Sequence, residues 1–171
     1  MQKNRVYYKK GREAMRTPRV YLDTSVISHL DQPKKPIEQE YSLRLWDAII
    51  AGEYEVWLSD VVLTEINKCK PDKRERLFDF LSKIKHNNIP LTDELRTFAN
   101  KILEQKILPS SCEEDSQHIA AAVLTNSEFL LSWNLRHLAN FTTNDKVRLL
   151  SFAEYNREIS IITPSFLLEG D

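Results

Sequence analysis

The sequence predicts an α/β protein built on a mainly parallel central sheet. Short apolar runs, such as residues 20–22 and 129–132, are typical of strands buried on both faces. Longer stretches with apolar residues at helical spacing separate these runs, and this alternation implies right-handed crossover connections. Ligands of such a sheet bind just beyond the carboxyl ends of its strands.

The composition is that of one ordinary globular domain. The chain has 171 residues, 42% of them hydrophobic and 29% charged, which is enough for one sizeable core. Residues 1–19 hold seven Lys or Arg and one Glu and so carry +6, which leaves −7 for the remainder of a chain with net charge −1. An acidic body argues against nucleic-acid binding by a basic surface, but metal ions can offset a cluster of carboxylates.

Several common kinds of site are excluded or unsupported. Three glycines cannot build a P-loop or a dinucleotide-binding fingerprint. Cys69 and Cys112 lack the spacing of a zinc site and are interpreted as reduced thiols. The histidines form no recognisable ligand pair along the chain: His29, His86, His118 and His137. The apolar runs are too short to span a membrane and the N-terminus does not resemble a signal peptide, so we expect a cytoplasmic protein.

The chain divides into a domain with two tails. Residues 1–18 are polar and basic and are expected as a tail, in which Met15 offers an alternative start; residues 19–163 form the domain, and residues 164–171 a C-terminal tail. After the first strand and a short helix, we expect a helix over 37–50 stopped by Gly52, a strand over 54–59 and a helix over 59–70 ended by Pro71. Helical segments within 72–108 are expected around a turn at 87–92. A buried helix through 119–124, a strand over 129–132, a helix over 145–158 and an edge strand over 159–163 complete the domain.

The first strand delivers Asp23 to the edge of the sheet. Residues 20–22 form the strand, and Thr24 and Ser25 offer hydroxyl groups at the start of the following helix. Asp23 therefore stands where an open parallel sheet binds its ligands. The alternative is that Asp23 is only the N-cap of that helix, a position that favours Asp.

A second acid, Glu65, lies on the apolar side of the helix over 59–70, four residues after Val61 and three after Val62. A carboxylate there does not point to the obvious solvent face. The alternative is a surface acid that pairs with Lys68, three positions further on.

A third acid, Asp115, opens the buried helix, one turn before Ile119, which aims it toward the interior. Glu113 and Glu114 are looser candidates. Alternatively, all three are acids favoured by the dipole at a helix N-terminus. His118 lies nearby, but a lone histidine is more often structural.

Asn134 follows the strand over 129–132 as Asp23 follows the first strand, although it could instead cap a helix beginning at Leu135. Crossover connections bring these positions to one edge together with Glu65 and Asp115. Three carboxylates there repel one another unless they are protonated or bridged by cations, and oxygen ligands favour Mg²⁺ or Mn²⁺. Such ions lower the pKa of an attacking water and stabilise a leaving oxygen, as phosphodiester hydrolysis requires.

Four motifs in order carry a resemblance: DTSV at 23–26, VLTEI at 62–66, EEDSQHIAAA at 113–122 and LLSWNLRHL at 130–138. Together they resemble the PIN-domain family, and they are most similar to the VapC-type toxins of bacterial toxin and antitoxin pairs. The resemblance covers about residues 19–163. It implies a three-layer α/β/α sandwich and an endoribonuclease that acts on RNA.

The resemblance also implies roles for particular residues. Asp23, Glu65 and Asp115 match the acids that bind Mg²⁺ or Mn²⁺, with Glu65 as a ligand or a base that orients water, and the hydroxyls of residues 24 and 25 would support the first acid. The fourth family position is commonly Asp, whereas here it is Asn134, an auxiliary residue that removes one charge and leaves one-metal catalysis open. A cognate antitoxin and a homodimer are further implications.

Two other functions stay open at this point. A PIN-like module with a weak metal site could act through protein or RNA contacts, and Asn134 motivates that alternative. A phosphatase with an Asp nucleophile ranks last, because Ser25 stands where a second Asp is required. Neither the RNA nor its cleavage sequence follows from the motifs.

Overall fold

The computed structural model of the chain describes residues 16–170. Most of the predicted basic tail, including Met15, lies outside the described residues. The strands within this range are β1 (Arg19–Leu22), β2 (Glu55–Ser59), β3 (His86–Ile89), β4 (Phe129–Leu131) and β5 (Ser160–Ile162). The α-helices are α1 (Thr24–Ser28), α2 (Pro36–Ile50), α3 (Asp60–Asn67), α4 (Pro71–Ser82), α5 (Asp93–Glu104), α6 (Glu113–Leu124), α7 (Phe141–Tyr155) and α8 (Pro164–Glu169), and a 3₁₀ turn follows α1 at His29–Asp31.

The five strands form one sheet in the order β3-β2-β1-β4-β5, and every neighbouring pair is parallel. Strand β1 lies at the centre, where Val20 pairs with Val56 of β2 on one side and Phe129 of β4 on the other. The side chains of Val20, Tyr21 and Leu22 are fully buried. The prediction of a parallel sheet with a first strand buried on both faces is therefore confirmed.

Helices cover both faces of this sheet. Helices α1–α4 connect the strands from β1 to the β3 edge, and right-handed crossovers place them on one face. Helices α5–α7 connect the strands from β3 back to the β5 edge, and the same rule places them on the other face. Ring contacts agree with these two layers: Trp46 of α2 lies 6.3 Å from Phe80 of α4, and Phe98 of α5 lies 5.1 Å from Tyr155 of α7. The fold is thus the predicted three-layer α/β/α sandwich.

Proline and glycine set several helix boundaries. Pro36 and Pro71 occupy first-turn positions of α2 and α4, where a missing backbone N–H costs nothing. Gly52, just after α2, has a φ of +79° and ends that helix as expected. Pro71 therefore starts one helix as well as limiting the one before it, which already ends at Asn67.

The structure corrects the predicted C-terminal tail over 164–171, because residues 164–169 form helix α8. Thr163 caps it, since its hydroxyl accepts a hydrogen bond from the backbone N–H of Phe166. At its other end Glu169 accepts hydrogen bonds from Tyr41 Oη at 2.7 Å and from Arg44 at 2.6 Å. These contacts join α8 to α2, and no local signal in the sequence announced them.

A second correction concerns the segment after Asn134, where a short helix from Leu135 was expected. Residues 135–139 form turns instead, closed by the backbone N–H groups of Leu138 and Ala139, which both donate to the Asn134 carbonyl at 2.9 Å.

None of the helices within residues 16–170 combines the length and apolar character needed to cross a membrane.

Leu130 in β4 is fully buried between β1 and β5. Leu130→Ala should lower the free energy of unfolding by about 2–5 kcal/mol, because the lost side chain leaves a cavity between strands. Urea unfolding followed by tryptophan fluorescence would measure this loss. Leu135→Ala is the control, since that side chain is 59% exposed and its removal should change stability by less than about 0.5 kcal/mol. Similar losses in both variants would contradict the interior position of β4.

Candidate active site

The candidate site lies where the connections of the sheet change direction. Strand β1 continues to β2 on one side, whereas β4, its neighbour on the other side, is reached by the crossover from β3. Open parallel sheets bind ligands in the crevice at this switch point. The crevice begins at Asp23, whose backbone N–H donates to the Leu131 carbonyl at 3.2 Å. Nearby, the Trp133 backbone N–H donates to Ser25 Oγ at 2.8 Å.

Asp23 is both a helix cap and part of the site, so the two interpretations of this residue do not exclude one another. Its Oδ1 accepts hydrogen bonds from the Val26 backbone N–H at 3.2 Å and from Ser25 Oγ at 2.5 Å, which caps α1. Its Oδ2 accepts a hydrogen bond from Ser132 Oγ at 2.5 Å. Two donors from α1 and one from the residue after β4 therefore fix the plane of this carboxylate.

Burial dominates the electrostatics of Asp23, which is only 3% exposed. Burial raises the pKa of its carboxyl group, although the charge of His118 and the hydroxyl donors act in the opposite direction. Within residues 16–170 no Lys, Arg or His nitrogen forms an ion pair with it. An ionised carboxylate here accepts its hydrogen bonds from neutral donors, and the charge of His118 acts on it without a hydrogen bond between the two side chains.

Glu65 turns into the same region from α3. Its Oε2 accepts hydrogen bonds from Thr24 Oγ1 and from His118 Nε2, the latter at 2.9 Å. The alternative partner Lys68 pairs instead with Glu114 at 2.6 Å. Burial acts to raise the pKa of Glu65, but the hydrogen bond and charge of His118 outweigh it, so this pKa is lowered.

His118 connects Glu65 to the interior of the sheet and is 2% exposed. Its Nδ1 lies 2.8 Å from Tyr21 Oη, which in turn lies 2.7 Å from Ser59 Oγ. Burial would lower the pKa of His118, yet the hydrogen bond that it donates to Glu65 and the charges of Asp23, Glu65 and Asp115 together raise it. The imidazolium form of His118 is therefore favoured, and it donates at both ring nitrogens. The hydroxyl groups of Tyr21 and Ser59 continue this chain of hydrogen bonds.

Asp115 and Asn134 are joined directly. The amide Nδ2 of Asn134 donates to Asp115 Oδ1 at 3.1 Å, while its Oδ1 accepts from the backbone N–H of His137 at 3.1 Å. His137 Nδ1 lies 2.9 Å from the other oxygen of Asp115. An amide serves here because it both donates and accepts, whereas an Asp at position 134 would face Asp115 with a second negative charge.

Hydrogen bonds connect Asp23, Asn134 and Asp115, whereas Glu65 is bonded to Thr24, the chain neighbour of Asp23, so the acids do not form one compact group. Ser132 Oγ links Asp23 to Asn134, since it donates to Asp23 and accepts from the Asn134 backbone N–H at 2.9 Å. In the described part of the chain, one group of three His, Cys, Asp or Glu side chains has all its ligand atoms within 4.8 Å of one another, and its members are Cys112, Asp115 and His137.

Sequence reasoning missed or undervalued four polar side chains. Tyr21 lies two residues before Asp23 on the same face of β1, and His118 lies three residues after Asp115 on one face of α6, so spacing could have signalled both. Ser132 and His137 come from the β4 end, and only the pairing of β4 with β1 brings them to the site. Glu113 accepts from Gln117 at 3.3 Å and Glu114 pairs with Lys68, so both lie outside the network.

We expect Asn134→Asp to destabilise the metal-free protein, because it removes the donor to Asp115 and sets two carboxylates side by side. The expected loss is about 1 kcal/mol, a fall in melting temperature of about 2–4 °C. Thermal unfolding in EDTA would measure it. Asn140→Asp is the matched control: that residue caps α7 through Oδ1, and Asp caps equally well. Equal effects of the two changes would refute the role given to the Asn134 amide.

The Glu65–His118 pair predicts a pH dependence. The pKa of Glu65 is lowered from 4.5, so its stabilisation is present above pH 4.5 and is lost as the pH falls through the folded pKa. The pKa of His118 is raised from 6.5, so its stabilisation is full below pH 6.5 and is lost as the pH rises through the folded pKa. Glu65 and His118 therefore both contribute their full stabilisation between pH 4.5 and pH 6.5.

The stability difference between the wild type and His118→Gln should therefore be largest between pH 4.5 and 6.5 and should narrow on either side. Urea unfolding in EDTA across a pH series would measure this difference. His86→Gln supplies the control, because His86 is exposed on the edge strand β3. A difference between wild type and His118→Gln that does not change with pH would disprove the pairing.

Comparisons with known proteins identify the fold. No protein-family model and no curated protein matches the chain. Among solved structures, the chain is similar to a chain of VapBC2 from Rickettsia felis, a complex crystallised with a DNA fragment from its promoter, at 19% sequence identity and a TM-score of 0.52. The match covers 85% of this chain and 98% of that one. At this identity the likeness shows the fold alone, and the fold is PIN-like.

Proposed function

We propose that this chain is an endoribonuclease that depends on Mg²⁺ or Mn²⁺ and hydrolyses phosphodiester bonds of RNA. The observation that carries the proposal is Asp23, a buried carboxylate at the switch point of the sheet whose hydrogen bonds come from neutral donors. Hydrogen bonds through Ser132 and Asn134 lead from it to Asp115, and the hydroxyl of the next residue, Thr24, donates to Glu65. The PIN-like fold supports the same function.

The residues present fit a hard divalent cation. Asp23, Glu65 and Asp115 offer carboxylate oxygens, the ligands that Mg²⁺ and Mn²⁺ prefer, and one or two direct carboxylates suffice because Mg²⁺ keeps several waters. None of the three pairs with Lys or Arg in the part of the chain that the structure describes. When bound, the ion would supply a more acidic water and charge stabilisation for the leaving oxygen.

The chain's own residues orient the acids and hold a proton. Ser132 fixes Asp23, and Asn134 fixes Asp115 through its amide. His118 holds Glu65 by its Nε2, and its raised pKa keeps a proton at that nitrogen near the carboxylate. We assign Glu65 the role of ligand or of the base that orients the attacking water, and Asn134 an auxiliary role consistent with a single metal ion.

The proposed setting is that of a toxin and antitoxin pair in the cytoplasm. The similar Rickettsia felis structure is a VapBC2 complex, which supports a protein partner for this chain. Residues 1–19 carry a net charge of +6 and the remainder carries −7, so an antitoxin segment rich in Lys or Arg would complement the acidic site. We also propose a homodimer, on the resemblance of the four motifs to VapC-type toxins.

Asp23→Asn should abolish cleavage and leave the fold intact. Because burial raises the pKa of Asp23, its ionised form destabilises the metal-free protein, and the amide should raise the melting temperature in EDTA. The assay is cleavage of a pool of single-stranded and structured RNA with Mg²⁺, Mn²⁺ or EDTA. Asp79→Asn, which neutralises an acid paired with Lys83 on the surface, should cleave like the wild type.

A second function, a PIN-like module that binds protein or RNA without cleavage, is favoured by one observation. Both Asp115 oxygens are occupied, one by Asn134 and one by His137. If folded wild-type protein leaves every RNA intact with both metals, this second function replaces the nuclease. Metal-dependent cuts that disappear in Asp23→Asn would exclude it, and full activity of Asp23→Asn would overturn the assignment of the site.

A further inference from the structure

Three different metal-binding groups meet at one side of the candidate active site. Cys112 and Asp115 come from the start of α6, and His137 comes from the turns after β4. His137 Nδ1 lies 2.9 Å from Asp115 Oδ2 and 3.4 Å from Cys112 Sγ. Their ligand atoms all lie within 4.8 Å of one another. A thiol and an imidazole distinguish this group from the oxygen ligands described above.

This combination suits Zn²⁺ rather than Mg²⁺. Thiolate and imidazole ligands select Zn²⁺ among the common divalent ions, and Mg²⁺ binds almost only oxygen. In a tetrahedral zinc site with Zn–N of about 2.0 Å and Zn–S of about 2.3 Å, ligand atoms lie about 3.3–3.6 Å apart. The observed separations of 2.9 Å and 3.4 Å require only small outward movements.

The group is reachable from solvent on one side. Cys112 is 7% exposed, whereas the side chains of Asp115 and His137 are 21% and 27% exposed. Three protein ligands with an accessible side leave room for water as the fourth ligand, the arrangement of open zinc sites. Binding would displace two protons: the thiol proton of Cys112 leaves to solvent, and the proton that His137 Nδ1 donates to Asp115 leaves to solvent or is regained from solvent at Nε2.

We propose that Cys112, Asp115 and His137 form a zinc site, and that Zn²⁺ bound there inhibits the nuclease by taking Asp115. The inhibitory half rests on the proposed function, whereas zinc binding does not. Asp115 Oδ1 already accepts from Asn134 at 3.1 Å. Zn²⁺ on Oδ2 would take the other oxygen, and its charge would oppose a second divalent ion on the same carboxylate.

The first test measures binding alone, with the full chain stripped of metal and titrated with Co²⁺ as a spectroscopic substitute for Zn²⁺. The wild type should give one equivalent of a sulfur-to-cobalt charge-transfer band that Zn²⁺ displaces. Cys112→Ser should lose this band and still fold, since Cys112 is the N-cap of α6 and Ser is favoured there. His137→Asn should weaken zinc binding at least about tenfold.

Cys69→Ser is the matched control. The Cys69 thiol is half-buried in the same protein, but it donates to the backbone carbonyl of Glu65 at 3.7 Å and belongs to no ligand group among residues 16–170. This variant should keep the band at wild-type intensity. A band that is absent from the wild type, or that persists in Cys112→Ser, overturns the zinc site.

The second test measures cleavage in excess Mg²⁺ with and without Zn²⁺, each variant against its own zinc-free rate. Zinc should inhibit the wild type and Cys69→Ser at least about tenfold, and Cys112→Ser much less. Equal inhibition of all three overturns the inhibitory role even where the cobalt band is present. If the wild type cuts no RNA at all, the proposed nuclease fails and with it the inhibition, while the cobalt titration still decides whether zinc binds.

Discussion

The burial of one negative charge is the constraint on which the site depends. Asp23 follows the central strand, is 3% exposed and has only neutral donors around its carboxylate. A buried carboxylate costs free energy unless its hydrogen bonds are complete or a cation accompanies it. The neighbouring hydroxyls of Ser25 and Ser132 supply the hydrogen bonds. Because these donors are neutral, a divalent cation bound as proposed would offset the buried charge at this edge of the sheet.

Around this charge the protein arranges hydrogen bonds that leave each acid in one orientation. His118 joins Glu65 to Tyr21 and Ser59, and Asn134 joins Asp115 to the turns after β4. Networks of this kind are costly if half satisfied, and each member here has a partner. The amide at position 134 thereby has a structural reason, because it donates to Asp115 where a carboxylate could only repel.

The parts that the sequence predicted well are those governed by local chemistry. An apolar strand followed by an acid and hydroxyls identified Asp23, and helical spacing placed Glu65 and Asp115 on inward faces. The contributions of Ser132, His137 and Cys112 depend on β4 pairing with β1, a contact between distant segments that no local pattern encodes. For the same reason, the spacing of residues along the chain gave no sign of a metal site at Cys112, although Asp115 and His137 lie close to it in space. Helix α8 was missed because Tyr41 and Arg44 hold it from far along the chain.

The order of strands also governs when the site can exist during synthesis. The hydrogen bond from Ser132 to Asp23 joins residues 109 positions apart, and β1 must wait for β4 before its second edge is paired. Contacts this distant form late, and chains emerge from the ribosome N-terminus first. A nascent chain that stops short of β4 carries Asp23 and Glu65 without the residues that orient Asp115. Under the proposed function, a partly made molecule would leave the RNA being translated intact, because the site is complete only once the domain is nearly finished.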